Sequence, residues 1–449
     1  MFGGFRMSVG RLALLAASGV LLSGSLSAQA ADLGGDCCAD LEERIAELEA
    51  TTARKGNRKV KLEVSGQVNE AVLFWDDGVE SNVGVYTNDA SRTRFRFKGE
   101  AKINDEWKAG YLLEVGVRSA NSKRFNQDNP TGPADSLGFD LRHSTWYIDS
   151  RRLGRVWVGL TGGAAESITE INVAGTGDVA KYSDVEDMGG DLILLRPDGS
   201  RSGNSIRRLI RNGSGNQPGE GRRYDLVRYD TPELFGFIGT ASWGADDTWE
   251  IGLRYKGEFA GLKMAAGIAY GESSDETTSG MGFECHSTSL ASATVPKAGC
   301  SQLGGSVSAM HVATGLYVNF AAGYSEDDQI KFTHDLGADA DDRHEFWALE
   351  AGIQQTWTSL GKTTIFGQYY SHDGGATFRT LSDGVGPAAE IASSNLDVYS
   401  IGVMQDIDAA AMKLYAIYRN VEADATNADG VKVDFKDIDM FMTGAVIKF

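Results

Sequence analysis

Short segments of alternating apolar and polar residues recur along most of this chain, separated by tight turns and long polar loops in alternation. The first segment begins at Val60 and the last ends at Phe449. A barrel of antiparallel strands across a membrane has this organisation, because lipid cannot hydrogen-bond the open edge of a sheet. Residues 60–449 are therefore predicted to form a closed, all-β transmembrane barrel.

Sixteen segments can be counted, and an even number returns both ends of an antiparallel barrel to one side of the membrane. The predicted strands are 60–75, 92–101, 107–117, 141–149, 156–160, 223–229, 237–243, 249–255, 262–270, 310–318, 320–325, 346–357, 363–370, 396–405, 412–419 and 439–449. Brief connections, predicted to be periplasmic, lie near Asn104, Arg151, Pro232, Phe259, Leu360 and Ile407. Long polar loops, predicted to lie outside the cell, are 76–91, 119–138, 161–222, 275–307, 326–343, 372–395 and 422–437.

Aromatic residues near the predicted strand ends are typical of the interfacial girdles of membrane barrels. They are Trp107, Tyr147, Trp157, Tyr229, Phe237, Tyr270, Trp357, Tyr399 and Phe449. The same rings could instead fill a soluble β-core. A soluble barrel has no need of alternating long and short connections, so we prefer the membrane barrel.

The first 30 residues have the features of a cleaved export signal. Arg6 and Arg11 form a basic start, 12–22 is a short apolar core, and Ala28 and Ala30 suit a cleavage site. This core has about half the length of a spanning helix, and no later segment is long and apolar enough to be one. Residues 1–30 are therefore predicted to direct export and to be removed.

Residues 31–59 are predicted to contain a short periplasmic helix and a basic linker. Leu41, Ile45 and Leu48 follow a 4–3 spacing with charged residues between them, as in a coiled coil. A helix this short is not stable alone, so it needs partner copies. The alternative is a partly disordered amphipathic leader.

The charge and the cysteines of the chain bear on its partners and its cross-links. A formal net charge of −19 argues against nucleic acid as a partner. Cys285 and Cys300 bracket a loop rich in Gly, Ser and Thr, and a disulfide there is expected in an exported chain. Cys37 and Cys38 are adjacent and cannot easily bridge each other, so they either cross-link neighbouring chains or remain free.

The histidines give no sign of a metal site, a cofactor or a catalytic pair. All six are scattered without ligand spacing, and none pairs convincingly with a serine or cysteine. Four of them fall in or beside predicted loops, where we expect solvated side chains: His286, His334, His344 and His372.

Three arginines of the second predicted strand share one face. Arg92, Arg94 and Arg96 recur at period two, and Phe95 and Phe97 point the other way. Arginine near the middle of a membrane costs several kcal/mol on the lipid side, so these three are expected to face the lumen. The alternative is that they only form ion pairs between the wall and a loop.

The chain resembles the porins of Gram-negative bacteria, and more narrowly the alphaproteobacterial porin family. Residues 37–59, 88–97 and 153–160 carry the narrower likeness, and the rest is similar in architecture. The resemblance implies a homotrimer of water-filled barrels in the outer membrane that passes small hydrophilic solutes and ions by diffusion, without a cofactor. It also implies that Phe449 is part of the signal read by the barrel-assembly machinery.

The resemblance further implies that the long segment 161–222 folds inward and narrows the channel. Its first half is acidic and its second half is rich in arginine. The acidic candidates for the narrow part of the pore are Glu166, Glu170, Asp178, Asp184, Glu186 and Asp187. Facing the three arginines, they would create a transverse field that selects ions and disfavours apolar solutes.

Three other functions compete with a general porin. A channel specific for phosphate or another anion would use the same arginines, although the acidic loop argues against it. An outer-membrane hydrolase would need a nucleophile–histidine pair, which the sequence does not offer, so no enzyme activity is expected. A non-conducting adhesin or structural barrel is supported only by the long outer loops.

Overall fold

The computed structural model describes residues 60–133, 137–211, 217–244, 247–273, 299–332 and 336–449. The predicted signal, the helical segment with Cys37 and Cys38, and the side chains of Cys285, His286 and His334 lie outside the described residues. The disulfide between Cys285 and Cys300 therefore stays a prediction.

Sixteen antiparallel strands form one closed wall, which confirms the predicted fold class. They are β1 Lys61–Asp76, β2 Arg94–Lys102, β3 Trp107–Arg118, β4 Gly138–Ser150, β5 Gly154–Gly162, β6 Arg223–Asp230, β7 Phe237–Gly244, β8 Thr248–Phe259, β9 Leu262–Ser273, β10 Cys300–His311, β11 Leu316–Asp327, β12 Arg343–Thr358, β13 Gly361–Gly374, β14 Ala389–Ile407, β15 Met412–Asn427 and β16 Ile438–Lys448. β16 pairs with β1 from Gln67–Lys448 to Asp76–Asp439 and closes the wall.

Shorter elements lie in the loops. The strands Ser81–Thr87, Thr377–Leu381 and Lys432–Asp434 extend the wall at its outer end. Ile193–Leu195 and Arg201–Ser205 form a separate hairpin, followed by the short helix α1, Ile206–Ile210. Within the described ranges, no helix is long and apolar enough to cross a membrane.

Side chains alternate between the two faces of the wall, as a membrane barrel requires. On β14, Tyr399, Ile401 and Val403 are exposed on the outer face, whereas Ser400 and Met404, which alternate with them, are buried on the inner face. The outer face therefore offers an apolar surface to lipid, and the inner face holds polar groups.

One predicted strand pair is displaced. The predicted strand 310–318 spans the turn between β10 and β11, where Gly315 has a φ of +68°. Residues 300–307 fall in the predicted loop 275–307, and Gly304, Gly305 and several serines interrupt the apolar pattern there. Small residues suit β10 because the backbone around Gly219, inside the barrel, packs directly against the inner face of this strand. Cys300 is the first residue of β10.

Two of the predicted girdle aromatics face the lumen instead. The rings of Tyr147 and Trp157 lie 4.6 Å apart, and the guanidinium of Arg155 covers both. Trp157 Nε1 donates to Asp230. These two rings therefore pack with polar groups on the inner wall rather than at the lipid interface.

Candidate functional site

The segment 163–222 is here called the inner loop, and its described parts, 163–211 and 217–222, run along the inside of the wall. The backbone N–H groups of Ile171 and Val173 donate to the hydroxyls of Ser306 and Ser308 on β10, at 3.2 and 2.9 Å. The Thr176 hydroxyl donates to Glu350 on β12 at 2.7 Å. Each wall residue belongs to the polar, inward set, so the inner loop lies within the barrel.

The inner loop is also attached to the far side of the wall. Arg419 on β15, 2% exposed, donates to the Val185 carbonyl and to Ser400 Oγ. Asp178 forms ion pairs with Lys413 at 2.8 Å and Lys448 at 2.7 Å. The segment thus reaches from the end of β5 to β15 and β16 and occupies part of the lumen.

The three arginines expected in the lumen lie on the inner wall, where carboxylates from neighbouring strands meet them. Arg94 and Arg96 contact Glu114, which is 1% exposed and lies opposite Arg96 in the ladder between β2 and β3. Arg142 on β4 joins the same carboxylate at 2.6 Å. Several guanidinium groups therefore share one carboxylate, which leaves this part of the wall positively charged.

Arg92 takes part in a second cluster of the same kind. Its guanidinium contacts Asp140 at 3.1 Å and Asp89 at 3.2 Å, and Arg118 contacts Asp140 at 2.9 Å. Sequence reasoning found Arg92 but missed both carboxylates. The register of β3 and β4 brings Asp140 to this face, and that register cannot be deduced from the arginines alone.

Lys123 forms ion pairs with the acidic part of the inner loop. Its ammonium lies 2.6 Å from Asp187, 2.9 Å from Glu186, 3.5 Å from Asp89 and 3.7 Å from Asp184. The side chain is 12% exposed, so water screens these contacts poorly. Lys123 lies in a polar loop between β3 and β4, next to Arg124, and no sequence pattern marked it.

Other cations complete the neutralisation of the acidic candidates. Lys181 contacts Glu170 at 2.7 Å and Asp184 at 3.3 Å. Arg211 pairs with Glu186, and Arg223 pairs with Glu166 at 2.7 Å. The acidic half of the inner loop is therefore a network of ion pairs rather than a surface of free carboxylates.

Burial and charge act in opposite directions on two carboxyls of this network. Burial, and then the neighbouring Asp184 carboxylate, raise the pKa of Asp187 to about 7, although Lys123 and Lys181 oppose them. Burial would also raise the pKa of Asp184, but Lys123 and Lys181 outweigh it and hold that pKa below its usual range. Asp187 is thus the group of the pair that titrates near neutral pH.

Two adjoining cavities, of about 410 and 380 Å³, lie between the inner loop and the arginine-bearing wall. Together they are lined by twelve basic residues and nine acidic ones, an excess of three positive charges. The basic residues are Arg92, Arg94, Arg96, Arg118, Lys123, Arg124, Arg142, Lys181, Arg207, Arg211, Arg222 and Arg223. The acidic residues are Asp89, Glu114, Asp140, Glu166, Glu170, Asp178, Asp184, Asp187 and Glu220. These two cavities are here called the passage.

A family model described as Gram-negative porin matches residues 12–427. The chain belongs to the Gram-negative porin family. Membership places this porin among outer-membrane channel proteins. No match is found among curated proteins.

Solved structures share the architecture of this porin. The anion-selective porin from Comamonas acidovorans has 15% identity and a TM-score of 0.53, over 87% of this chain and 100% of its own. Pseudomonas putida OprB has 9% identity and a TM-score of 0.53, over 91% and 97%. Salmonella typhi OmpF, in complex with daunomycin, has 13% identity and a TM-score of 0.51, over 87% and 98%. At such identities the likeness establishes the fold alone.

The acidic candidates of this porin do not form one site. Asp184, Glu186 and Asp187 meet around Lys123, and Glu170 joins them through Lys181. Asp178 and Glu166 lie apart, in ion pairs with other wall cations. Across the described part of the chain, no group of three or more His, Cys, Asp or Glu side chains could hold a metal ion.

Proposed function

We propose that this porin is a passive outer-membrane channel for small hydrophilic solutes and ions, with a preference for anions. The observation that carries the proposal is the excess of three positive charges around the passage, in a chain whose formal net charge is −19. Charge lining a narrow aqueous path selects ions of the opposite sign, whatever the charge elsewhere on the molecule. Apolar solutes would lose their hydration there without compensation.

The type of cation strengthens this proposal. Most basic residues around the passage are arginines, whose planar guanidinium groups stay charged at every physiological pH and can bind an oxyanion through two N–H groups. Family membership supports a channel rather than an enzyme. A channel specific for phosphate is the second candidate, because Arg94, Arg142 and Arg223 line both cavities and could hold such an ion together.

The assembly and export of this porin are part of the same proposal. We propose a homotrimer of the alphaproteobacterial type, exported with removal of 1–30 and folded by the barrel-assembly machinery. In support, the Phe449 backbone exchanges hydrogen bonds of 3.0 and 2.8 Å with Gly66, so the last residue lies in the closing ladder. Recognition by the assembly machinery predicts that Phe449→Ala lowers the yield of folded barrel in cells, but not in detergent refolding.

A planar bilayer with purified protein and a KCl gradient tests the proposal. We expect large conductance steps in groups of three and a reversal potential on the anion side, below the limit of about 60 mV for a perfectly selective pore in a tenfold gradient. Small anion-selective steps blocked by phosphate would favour the specific channel. Silence from correctly folded, heat-modifiable protein would rule out a channel altogether.

The pH dependence of selectivity provides a second prediction. Because the pKa of Asp187 is raised to about 7, its carboxyl is neutral below that pH and charged above it. Lowering the pH from about 8 to about 6 should therefore raise the preference for anions. Asp187→Asn should flatten this response, whereas His143→Gln, on the wall of the same passage, should keep it. Equal responses in Asp187→Asn and the unmodified protein would contradict the assignment.

A further inference from the structure

His344 and His372 are buried on the inner face of the wall, at the extracellular ends of β12 and β13. They are 2% and 1% exposed, so the expectation of solvated side chains was wrong for both. Their rings lie 5.9 Å apart and 26° from parallel. Sequence position beside a loop suggested exposure, but the alternation of both strands turns these two side chains inward.

Part of the hydrogen-bonding capacity of this pair is left unused. His344 Nε2 lies 3.2 Å from the Ala376 carbonyl, so it carries the proton of a neutral ring and leaves Nδ1 with a free lone pair. His344 Nδ1 and the Ser394 hydroxyl beside it have no hydrogen-bond partner, and the ring of His372 faces the backbone carbonyl of Leu209 in α1. Buried polar atoms in this state are costly unless a ligand or water satisfies them.

These atoms converge on one space, which is kept open by a glycine. A Cβ atom added to Gly374 would lie 3.0 Å from His372 Nε2 and 3.3 Å from His344 Nδ1, and still closer to Ser394 Oγ. Gly374 is opposite His344 in the β12–β13 ladder and opposite Ser394 in the β13–β14 ladder. Polar side-chain atoms from three strands therefore meet around the same small volume.

The surrounding charges favour a cation. The negative carboxylates of Asp341, Asp342 and Asp373 lie close enough to His344 to attract a positive charge there. The Asp342 carboxylate also forms an ion pair of 2.8 Å with the Lys331 ammonium. Carboxylates near an imidazole ligand stabilise bound metal from outside its first shell of ligands.

We propose that His344 and His372 bind a divalent transition-metal ion of the type that prefers imidazole, such as Zn²⁺ or Ni²⁺. Neutral imidazole nitrogen is a good ligand for these ions, whereas Mg²⁺ and Ca²⁺ prefer oxygen. The Ser394 hydroxyl is placed to hold a water molecule on the ion. Because the Leu209 carbonyl of α1 faces His372, the site lies where the inner loop meets the extracellular end of the wall.

Metal binding to the full-length protein in detergent tests this site, with Zn²⁺ and Ni²⁺ as the probes after treatment with a chelator. We expect about one ion per chain, and His372→Gln should weaken binding by about tenfold or more. His311→Gln is the matched control, because His311 is exposed on a turn at the other end of the barrel. No binding by the unmodified protein, or equal binding by His372→Gln, would overturn the proposal.

X-ray absorption of the Zn²⁺-loaded, unmodified protein gives a result that does not depend on folding of a variant. Two imidazole nitrogens at about 2.0–2.1 Å from the ion are expected. A shell made of oxygen alone would place the ion at surface carboxylates and overturn the proposal.

Discussion

Lys123→Met is expected to weaken strongly the attachment of the inner loop to the wall. The change leaves Asp89, Asp184, Glu186 and Asp187 in place while it removes the ammonium that contacts all four. Methionine has a similar length but no charge, so the buried carboxylates would repel one another. Removing one partner from a buried ion pair typically costs about 3–5 kcal/mol, here drawn from the local stability of the loop.

Two measurements check this result. Limited proteolysis should cut the inner loop of Lys123→Met faster, and single-channel records should show larger or noisier conductance. Lys102→Met is the matched control, because Lys102 pairs with Asp105 on an exposed turn, where an ion pair contributes little. Proteolysis and channel records identical to those of the unmodified protein would show that Arg211 and Lys181 hold the loop without Lys123.

The double variant Arg96→Gln/Arg118→Gln is expected to weaken the anion preference strongly. It removes two of the three excess positive charges around the passage, so the ratio of anion to cation permeability should fall by about twofold or more. The fold should survive, because Glu114 keeps Arg94 and Arg142 and Asp140 keeps Arg92.

A matched pair of substitutions outside the passage separates local from general charge. Arg343→Gln/Lys432→Gln also removes two positive charges, but Arg343 stacks on Tyr324 and Lys432 pairs with Asp434 among the outer loops. We expect its reversal potential to match that of the unmodified porin. A similar shift in both double variants would assign selectivity to the mouth of the channel, against the proposal.

Alternation and loop length were enough to predict the barrel, because a membrane constrains every strand to the same period and polarity. The prediction failed on β10, whose inner face carries glycine and serine where the inner loop packs closely. Small polar residues at such a contact look like a loop in sequence. A contact between distant segments thus removed the local signal on which the prediction depended.

The arginines of the candidate site were predictable, whereas their partners were not. Arg94 and Arg96 share a face because of strand period alone, but Glu114 becomes their partner only through the register of β2 and β3. Lys123 meets acids more than 60 residues away in sequence, through the path of two loops. Exposed side chains were expected for His344 and His372 because both lie beside loops. Their burial depends instead on their position in the strand, where alternate side chains point into the barrel.

The pairing between β1 and β16 has a consequence for how the wall can be assembled. The two strands lie at opposite ends of the barrel sequence, so their ladder is the contact of longest sequence separation and closes the largest chain loop. Until it forms, the sheet has two unpaired edges, and such edges template the addition of strands from other molecules. Closure of the barrel therefore protects the sheet from aggregation. A chain that has folded up to this step but has not closed is the form most prone to aggregate.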